Sequence, residues 1–226
     1  MEKSGGCLMA KVKICGNTNE EDVALAIRAG ADFIGFIFTE SKRRISPAQA
    51  SAIIEKFPDY LGFAGVFLNQ PKRDVEETAR MLGLQWLQFH GDETALYCGS
   101  FMDQGYSVIK TFHVKDEMSL KRLDEYNVTA FLFDTYSADK KGGTGTAFDW
   151  NLLGDRSFIH DKLFLAGGLN PDNLEAAIRS VRPYAVDVAS GVESKPGKKD
   201  PVLLERFIRL AHGDKKNNVT QSTLPQ

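Results

Sequence analysis

Apolar residues along the chain fall into two alternating patterns. Short runs rich in β-branched and aromatic residues occur at Lys11–Cys15, Phe33–Phe38, Leu61–Phe67, Trp86–Phe89, Ser107–Phe112, Phe131–Asp134, Leu163–Ala166 and Ala185–Ala189. Runs with so few polar interruptions fit strands covered on both faces, as in a parallel sheet flanked by helices. Between them, apolar residues recur at helical spacing. Asn19–Ala29 aligns Val23, Ala26, Ile27 and the following Gly30, and Ser46–Phe57 aligns Ala50, Ile53, Ile54 and Phe57 behind a cap and proline at Ser46-Pro47. Pro71–Leu82, Met118–Tyr126, Pro171–Val181 and Pro201–Ala211 repeat the scheme. The segment after Glu93 is weaker, and the one after the sixth run is short, about Phe148–Leu153.

Repeated βα alternation in 226 residues predicts an α/β fold, a single-domain (β/α)₈ TIM barrel spanning 11–212. A doubly wound open sheet is the alternative, because alternation alone does not require closure. Residues 1–10 read as an N-terminal extension and 213–226 as a polar, disordered C-terminal tail. A formal net charge of -2, with basic and acidic residues interspersed, argues against nucleic acid or an anionic membrane as partner. The early residues lack a signal-peptide core, and no stretch approaches the roughly 20 apolar residues of a membrane span. Cys7, Cys15 and Cys98 make neither a CxxC pair nor a disulfide framework, which points to a reducing, cytoplasmic setting. His90, His113, His160 and His212 are scattered without a ligand-pair spacing, so no metal is expected.

In such a barrel, chemistry sits at the C-terminal ends of the strands. The first strand ends Lys13-Ile14-Cys15-Gly16. Alternation puts Lys13 and Cys15 on one face, and a thiol beside an ammonium has a lowered pKa and can act as a base; the alternative is an inert core cysteine. The sixth ends in Asp134, either a proton donor or a loop-bracing acid, and leads into the glycine-rich Lys140–Gly145, a lid or a plain loop. Gly167-Gly168 and Ser190-Gly191 close strands seven and eight, the usual barrel phosphate position, unless they are simply tight turns. Asp187 in strand eight either pairs with Lys13 inside the barrel or faces substrate. Arg43, after strand two, is a carboxylate clamp or part of a solvated basic turn. His90, at the end of strand four, is a rim residue with a structural or a catalytic role.

Together these motifs resemble the phosphoribosylanthranilate isomerase family. The resemblance runs in order from about Lys11 to Ala211 and includes Lys13-Ile14-Cys15-Gly16, Ser41–Pro47, Gln88–Gly91, Phe133-Asp134-Thr135, Gly142–Gly145 with Phe148-Asp149-Trp150, Ala166–Leu169 and Val181–Asp200. It implies a (β/α)₈ enzyme of tryptophan biosynthesis that performs an Amadori rearrangement of N-(5′-phosphoribosyl)anthranilate without cofactor or metal. It implies Cys15 as general base, Asp134 as general acid and Arg43 on the anthranilate carboxylate. The Gly167-Gly168 and Ser190-Gly191 turns would hold phosphate, Asp187 would lie near the sugar, and His90, Gly143 and Gly145 would complete the substrate-binding set. The expected partner is this small molecule, with the chain a monomer or homodimer. Asn17, Arg44, Phe89 and Ala189 depart from the family pattern, and Ala189 lies nearest the expected phosphate. Two further possibilities are another sugar-phosphate barrel enzyme and a phosphate-ligand sensor without catalysis. The Cys15/Asp134 pair argues against both.

Overall fold

A computed structural model of the chain describes residues 9–114, 120–135 and 157–213. Its centre is a closed barrel of eight strands, β1 Lys11–Ile14, β2 Phe33–Ile37, β3 Phe63–Phe67, β4 Trp86–Phe89, β5 Ser107–Val114, β6 Ala130–Thr135, β7 Leu163–Ala166 and β8 Ala185–Val188. Each strand pairs in parallel with its sequence neighbour, and β8 returns to β1 with Lys13 opposite Asp187 and Ile14 opposite Val188. The open-sheet alternative is therefore excluded. Among the described residues, six helices cover the strands: α1 Glu20–Ala29, α2 Pro47–Ile54, α3 Lys72–Leu82, α4 Ala95–Met102, α5 Leu174–Val181 and α6 Pro201–Ala211.

The helix limits follow local chemistry. Asn19 caps α1, and Gly30, with φ 98°, ends it in the left-handed conformation that glycine adopts without cost. Ser46 and Gln49 form a reciprocal capping box ahead of Pro47 in α2. Thr94 caps α4, which is a full helix where the sequence pattern is weak. In the region expected to be helical over Met118–Tyr126, the described part holds a 3₁₀ turn at Leu123–Glu125. The expected short helix at Phe148–Leu153 lies outside the described residues, as do nearly all of the expected N-terminal extension and C-terminal tail.

Two apolar clusters divide the core. Val12, Ile14, Phe131 and Phe133 pack outward against the helices, whereas Phe33, Ile109, Leu132, Phe164 and Ala185 form a second cluster. Because neighbours on a strand point to opposite faces, the second cluster fills the barrel interior. It plugs the lower barrel, and the polar side chains lie above it. Backbone of Ala10 donates to Ala211 at 2.9 Å, tying the start of β1 to the end of α6.

Candidate active site

Lys13 and Cys15 share the inward face of β1, as alternation predicts, while Val12 and Ile14 meet the helices. Lys13 is completely buried and donates from Nζ to Asp187 Oδ1 at 2.7 Å across the β1–β8 seam. Asp187 thus takes the ion-pair role and also borders the cavity above. A buried ammonium requires such a partner, since stripping its hydration is otherwise too costly. Burial works against the Lys13 charge, but Asp187 and then Cys15 outweigh it and raise its pKa.

The thiol behaves differently from the sequence expectation. Burial pushes the Cys15 pKa up; Lys13 pulls it down, and Asp187 pushes it up again. The net direction is upward because burial outweighs the pull of Lys13, whose ammonium is shared with Asp187 at 2.7 Å. The side chain owes its place to Gly35 on β2: a Cβ there would sit 2.8 Å from Cys15 Sγ and 3.1 Å from Lys13 Nζ. Glycine at this point has nothing to do with a turn and everything to do with room for those two groups.

Asp134 closes β6 on the opposite side. Burial raises its pKa; His113 pulls it down, and Asp187 pushes it up, leaving the net direction upward. Two histidines flank it: His90 Nε2 and His113 Nδ1 each lie 3.8 Å from Asp134 Oδ2. The four histidines are far apart in sequence, yet these two belong to the adjacent ends of β4 and β5, with their rings 5.1 Å apart. β5 runs two residues beyond the expected end at Phe112, which places His113 level with Asp134 in the β5–β6 register. Burial, and then His113, lower the His90 pKa to about 4. Gln88, buried below, has Nε2 3.1 Å from His90 Nδ1. The loop carrying His90 is held by Glu93, which accepts from the Asn69 and Gly91 amides and pairs with buried Lys110 at 2.8 Å.

Arg43 lies in the loop between β2 and α2. A parallel bridge between Ile37 and Arg44 fixes that loop, and Gly16, with φ 71°, leaves space for the Arg43 stem, whose Cδ would lie 2.5 Å from a Cβ added there. The guanidinium is engaged by Glu193: Nε donates to Oε1 at 2.8 Å and Nη2 donates to Oε2 at 2.6 Å. The guanidinium is therefore half-buried and paired with an internal carboxylate rather than fully solvated. Glu193 also accepts from buried Lys199 at 3.1 Å, while Lys199 donates to the Cys15 carbonyl at 2.6 Å. Burial opposes the Glu193 charge, but hydrogen bonds from Arg43 and the charge of Lys199 outweigh it and hold its carboxyl below the ordinary range. Glu193 and Lys199 stand on β9 Glu193–Lys195 and β10 Lys198–Lys199, a small antiparallel pair beyond β8.

One cavity of about 370 Å³ opens at the C-terminal ends of the strands. Cys15, Arg43, His90, Asp134 and Asp187 line it, as do Gly167, Gly168, Ser190 and Gly191. Gly167 and Gly168 have φ 92° and 67°, a conformation that side-chain-bearing residues rarely adopt. At Gly191 a Cβ would fall 1.8 Å from the Leu169 carbonyl, so the turns after β7 and β8 touch. Ala189 lines the same end. The other two expected contacts, Gly143 and Gly145, lie outside the described residues. His113, Gln88, Gly35, Glu193 and Lys199 had no assigned role in the sequence reading. Only the continued alternation of Thr111 and His113 with Phe112 and Val114 signalled the longer strand.

Comparison with known proteins gives a consistent answer. A family model described as N-(5′-phosphoribosyl)anthranilate (PRA) isomerase matches residues 12–209. The N-(5′-phosphoribosyl)anthranilate isomerase of Pelobacter propionicus is 46% identical over 204 residues, covering 90% of this chain and 96% of that one. The crystal structure of phosphoribosyl anthranilate isomerase from Thermotoga maritima superposes with a TM-score of 0.80 at 40% identity, covering 91% of this chain and all (100%) of that one. A second, of phosphoribosyl anthranilate isomerase in complex with reduced 1-(o-carboxyphenylamino)-1-deoxyribulose 5-phosphate, has a TM-score of 0.78 at 38% identity, with coverage of 91% and 100%. With the family model spanning nearly the whole barrel and its relatives sharing the fold end to end, this chain belongs to the phosphoribosylanthranilate isomerase family.

Proposed function

We propose that the chain converts N-(5′-phosphoribosyl)anthranilate to 1-(2-carboxyphenylamino)-1-deoxyribulose 5-phosphate, with Asp134 as acid and Cys15 as base. The observation that carries this reading is the single cavity bordered by a thiol from β1, a carboxyl from β6, Arg43, and the glycine turns after β7 and β8. Each part of the substrate has a complementary group. The turns at Gly167-Gly168 and Ser190-Gly191 receive the phosphate. Arg43 turns the free side of its fork to the anthranilate carboxylate, and Glu193 keeps that fork in place. Asp187, His90 and the ribose share the middle, with Gly143 and Gly145 assigned to the covering loop.

The chemistry then needs two proton transfers. Asp134 protonates the ribose ring oxygen as the C1′–O bond breaks, and the anilino nitrogen lone pair forms the iminium. Cys15, as thiolate, removes the proton at C2′, and the C–H electron pair moves toward the iminium to give an enolamine, which tautomerises to the ketone. The cationic imine is the electron sink. Burial shifts Asp134 toward the protonated form that the first step uses, and holding phosphate and carboxylate together makes both transfers effectively intramolecular. The barrel over residues 11–212 is the catalytic unit, alone or as a pair of identical chains. The buried free thiols Cys15 and Cys98 support a reducing, cytoplasmic setting.

The test is consumption of phosphoribosylanthranilate, followed by its fluorescence, with Cys15→Ser and Asp134→Asn beside the parent. Turnover in the parent and a loss of roughly two orders of magnitude or more in each variant is expected. Absence of turnover in the parent, or an unimpaired variant, refutes the reading or the role concerned.

A further inference from the structure

Three groups at the ends of adjacent strands converge: His90 after β4, His113 on β5 and Asp134 on β6. One ligand atom from each lies within 4.8 Å of the others, and the two separations to Asp134 Oδ2 are 3.8 Å. In a tetrahedral zinc site with bonds of about 2.0–2.1 Å, neighbouring ligand atoms stand about 3.4 Å apart. Small rotations of the His113 ring, which is half exposed, suffice to close the difference. We propose that His90 Nε2, His113 Nδ1 and Asp134 Oδ2 form a binding site for one divalent transition cation of the zinc, cobalt or nickel class.

The donor set selects that class. Two imidazoles and one carboxylate suit a borderline metal, whereas magnesium and calcium ask for an oxygen shell. Three protein ligands facing a cavity leave a fourth position for water or a ligand hydroxyl. A ligating imidazole usually donates its second N–H to an acceptor, which fixes the ring. Gln88 is in place for that task. Its Nε2 stands 3.1 Å from His90 Nδ1, and its buried Oε1 has no hydrogen-bond partner. Turning the amide by half a revolution presents Oε1 to an Nδ1–H, the arrangement His90 requires when its Nε2 holds a metal. An otherwise unpartnered buried oxygen thereby gains a donor.

Occupancy has a functional consequence that rests on Asp134 being the general acid. A carboxylate oxygen bound to a cation has no proton to give, so the metal inhibits. It also lies where the sugar must enter, and inhibition is therefore competitive with substrate.

The experiment titrates the full chain, dialysed against EDTA, with cobalt(II) followed by visible absorption and with zinc(II) followed by calorimetry. One equivalent binds, with the d–d bands of a low-coordinate cobalt site and no thiolate charge-transfer band. Loss of a partner that merely orients a ligand costs roughly 10–100-fold in affinity, so His113→Asn, which removes a ligand, weakens binding by roughly 100-fold. Cys15→Ala binds as the parent does. No binding, binding unaffected by His113→Asn, or binding lost in Cys15→Ala overturns the proposal. Zinc that binds as expected yet leaves turnover unchanged overturns the inhibitory role. Turnover measured in EDTA judges the isomerase reading separately.

Discussion

Replacement of Gly35 by alanine tests the geometry of the proposed base from a residue that bears no functional group. The new methyl would lie 2.8 Å from Cys15 Sγ, 3.1 Å from Lys13 Nζ and 3.2 Å from the Cys15 Cα. Comfortable contact between such atoms is about 3.7 Å, so the sulfur must retreat by most of an ångström or the strands must part. Lys13 gives little relief, because it is buried and held by Asp187 at 2.7 Å. Overpacking of this kind costs about 1–3 kcal/mol of stability, only slightly offset by the lower chain entropy of alanine. A displacement near 1 Å at a reacting group costs on the order of 100-fold in rate, about 2.7 kcal/mol of barrier. Thermal unfolding gives the first quantity, and kcat for phosphoribosylanthranilate gives the second. Gly99→Ala is the control. It lies inside α4 with open space around the added Cβ, and it is expected to stabilise by about 0.4–1 kcal/mol without changing kcat. If Gly35→Ala folds with the parent's stability and turns over at the parent's rate, the thiol is not held as described, and its assignment as base falls.

Other outcomes follow from the ion pairs and the pKa directions. Asp187→Asn strands buried Lys13 and should lower stability by about 3–5 kcal/mol in chemical denaturation at neutral pH; a loss below about 1 kcal/mol would show that the ammonium finds other partners. Glu193→Gln frees Arg43 and Lys199, so KM should rise several-fold with a smaller change in kcat, and an unchanged KM would sever Glu193 from the clamp. Because the folded Glu193 pKa is depressed, its stabilising contribution is present above the unfolded value of about 4.3 and disappears as pH falls through the folded one. The gap in stability between parent and Glu193→Gln should therefore narrow on acidification. Cys15 titrates above its ordinary value because of burial, so the thiol and not the thiolate is its main form at neutral pH. kcat/KM should therefore rise toward tenfold per pH unit through neutral pH in the residual activity of Asp134→Asn. A flat variant profile would remove Cys15 thiolate from the rate law.

Much of this architecture was legible in the chain because it depends on local periodicity. Continuous apolar runs marked every barrel strand, though not the polar pair β9 and β10, and capping residues such as Ser46 and Thr94 explain where α2 and α4 begin. The placement of Cys15, Asp134 and Asp187 followed from alternation along short strands. What escaped depends on neighbours brought together by closure. The pKa of Cys15 was expected to fall because Lys13 is two residues away; it rises because burial outweighs that ammonium, and Asp187, remote in sequence, adds to the rise. His113 looked isolated until β5 ran past Phe112 and set it beside Asp134. Gly35 resembled any strand glycine, and its purpose is visible only from the sulfur and ammonium that occupy its missing side chain.

The Lys13–Asp187 contact spans 174 positions and lies on the seam where the first strand meets the last. A nascent polypeptide emerging from the ribosome cannot make it until residue 187 has been added. Until then, a half-built cylinder must either keep the lysine in water or swallow a lone cation, so its rim stays unlocked. A product that stops short of residue 187 leaves Lys13 without this partner and the thiol beside it without its neighbours on the last strand.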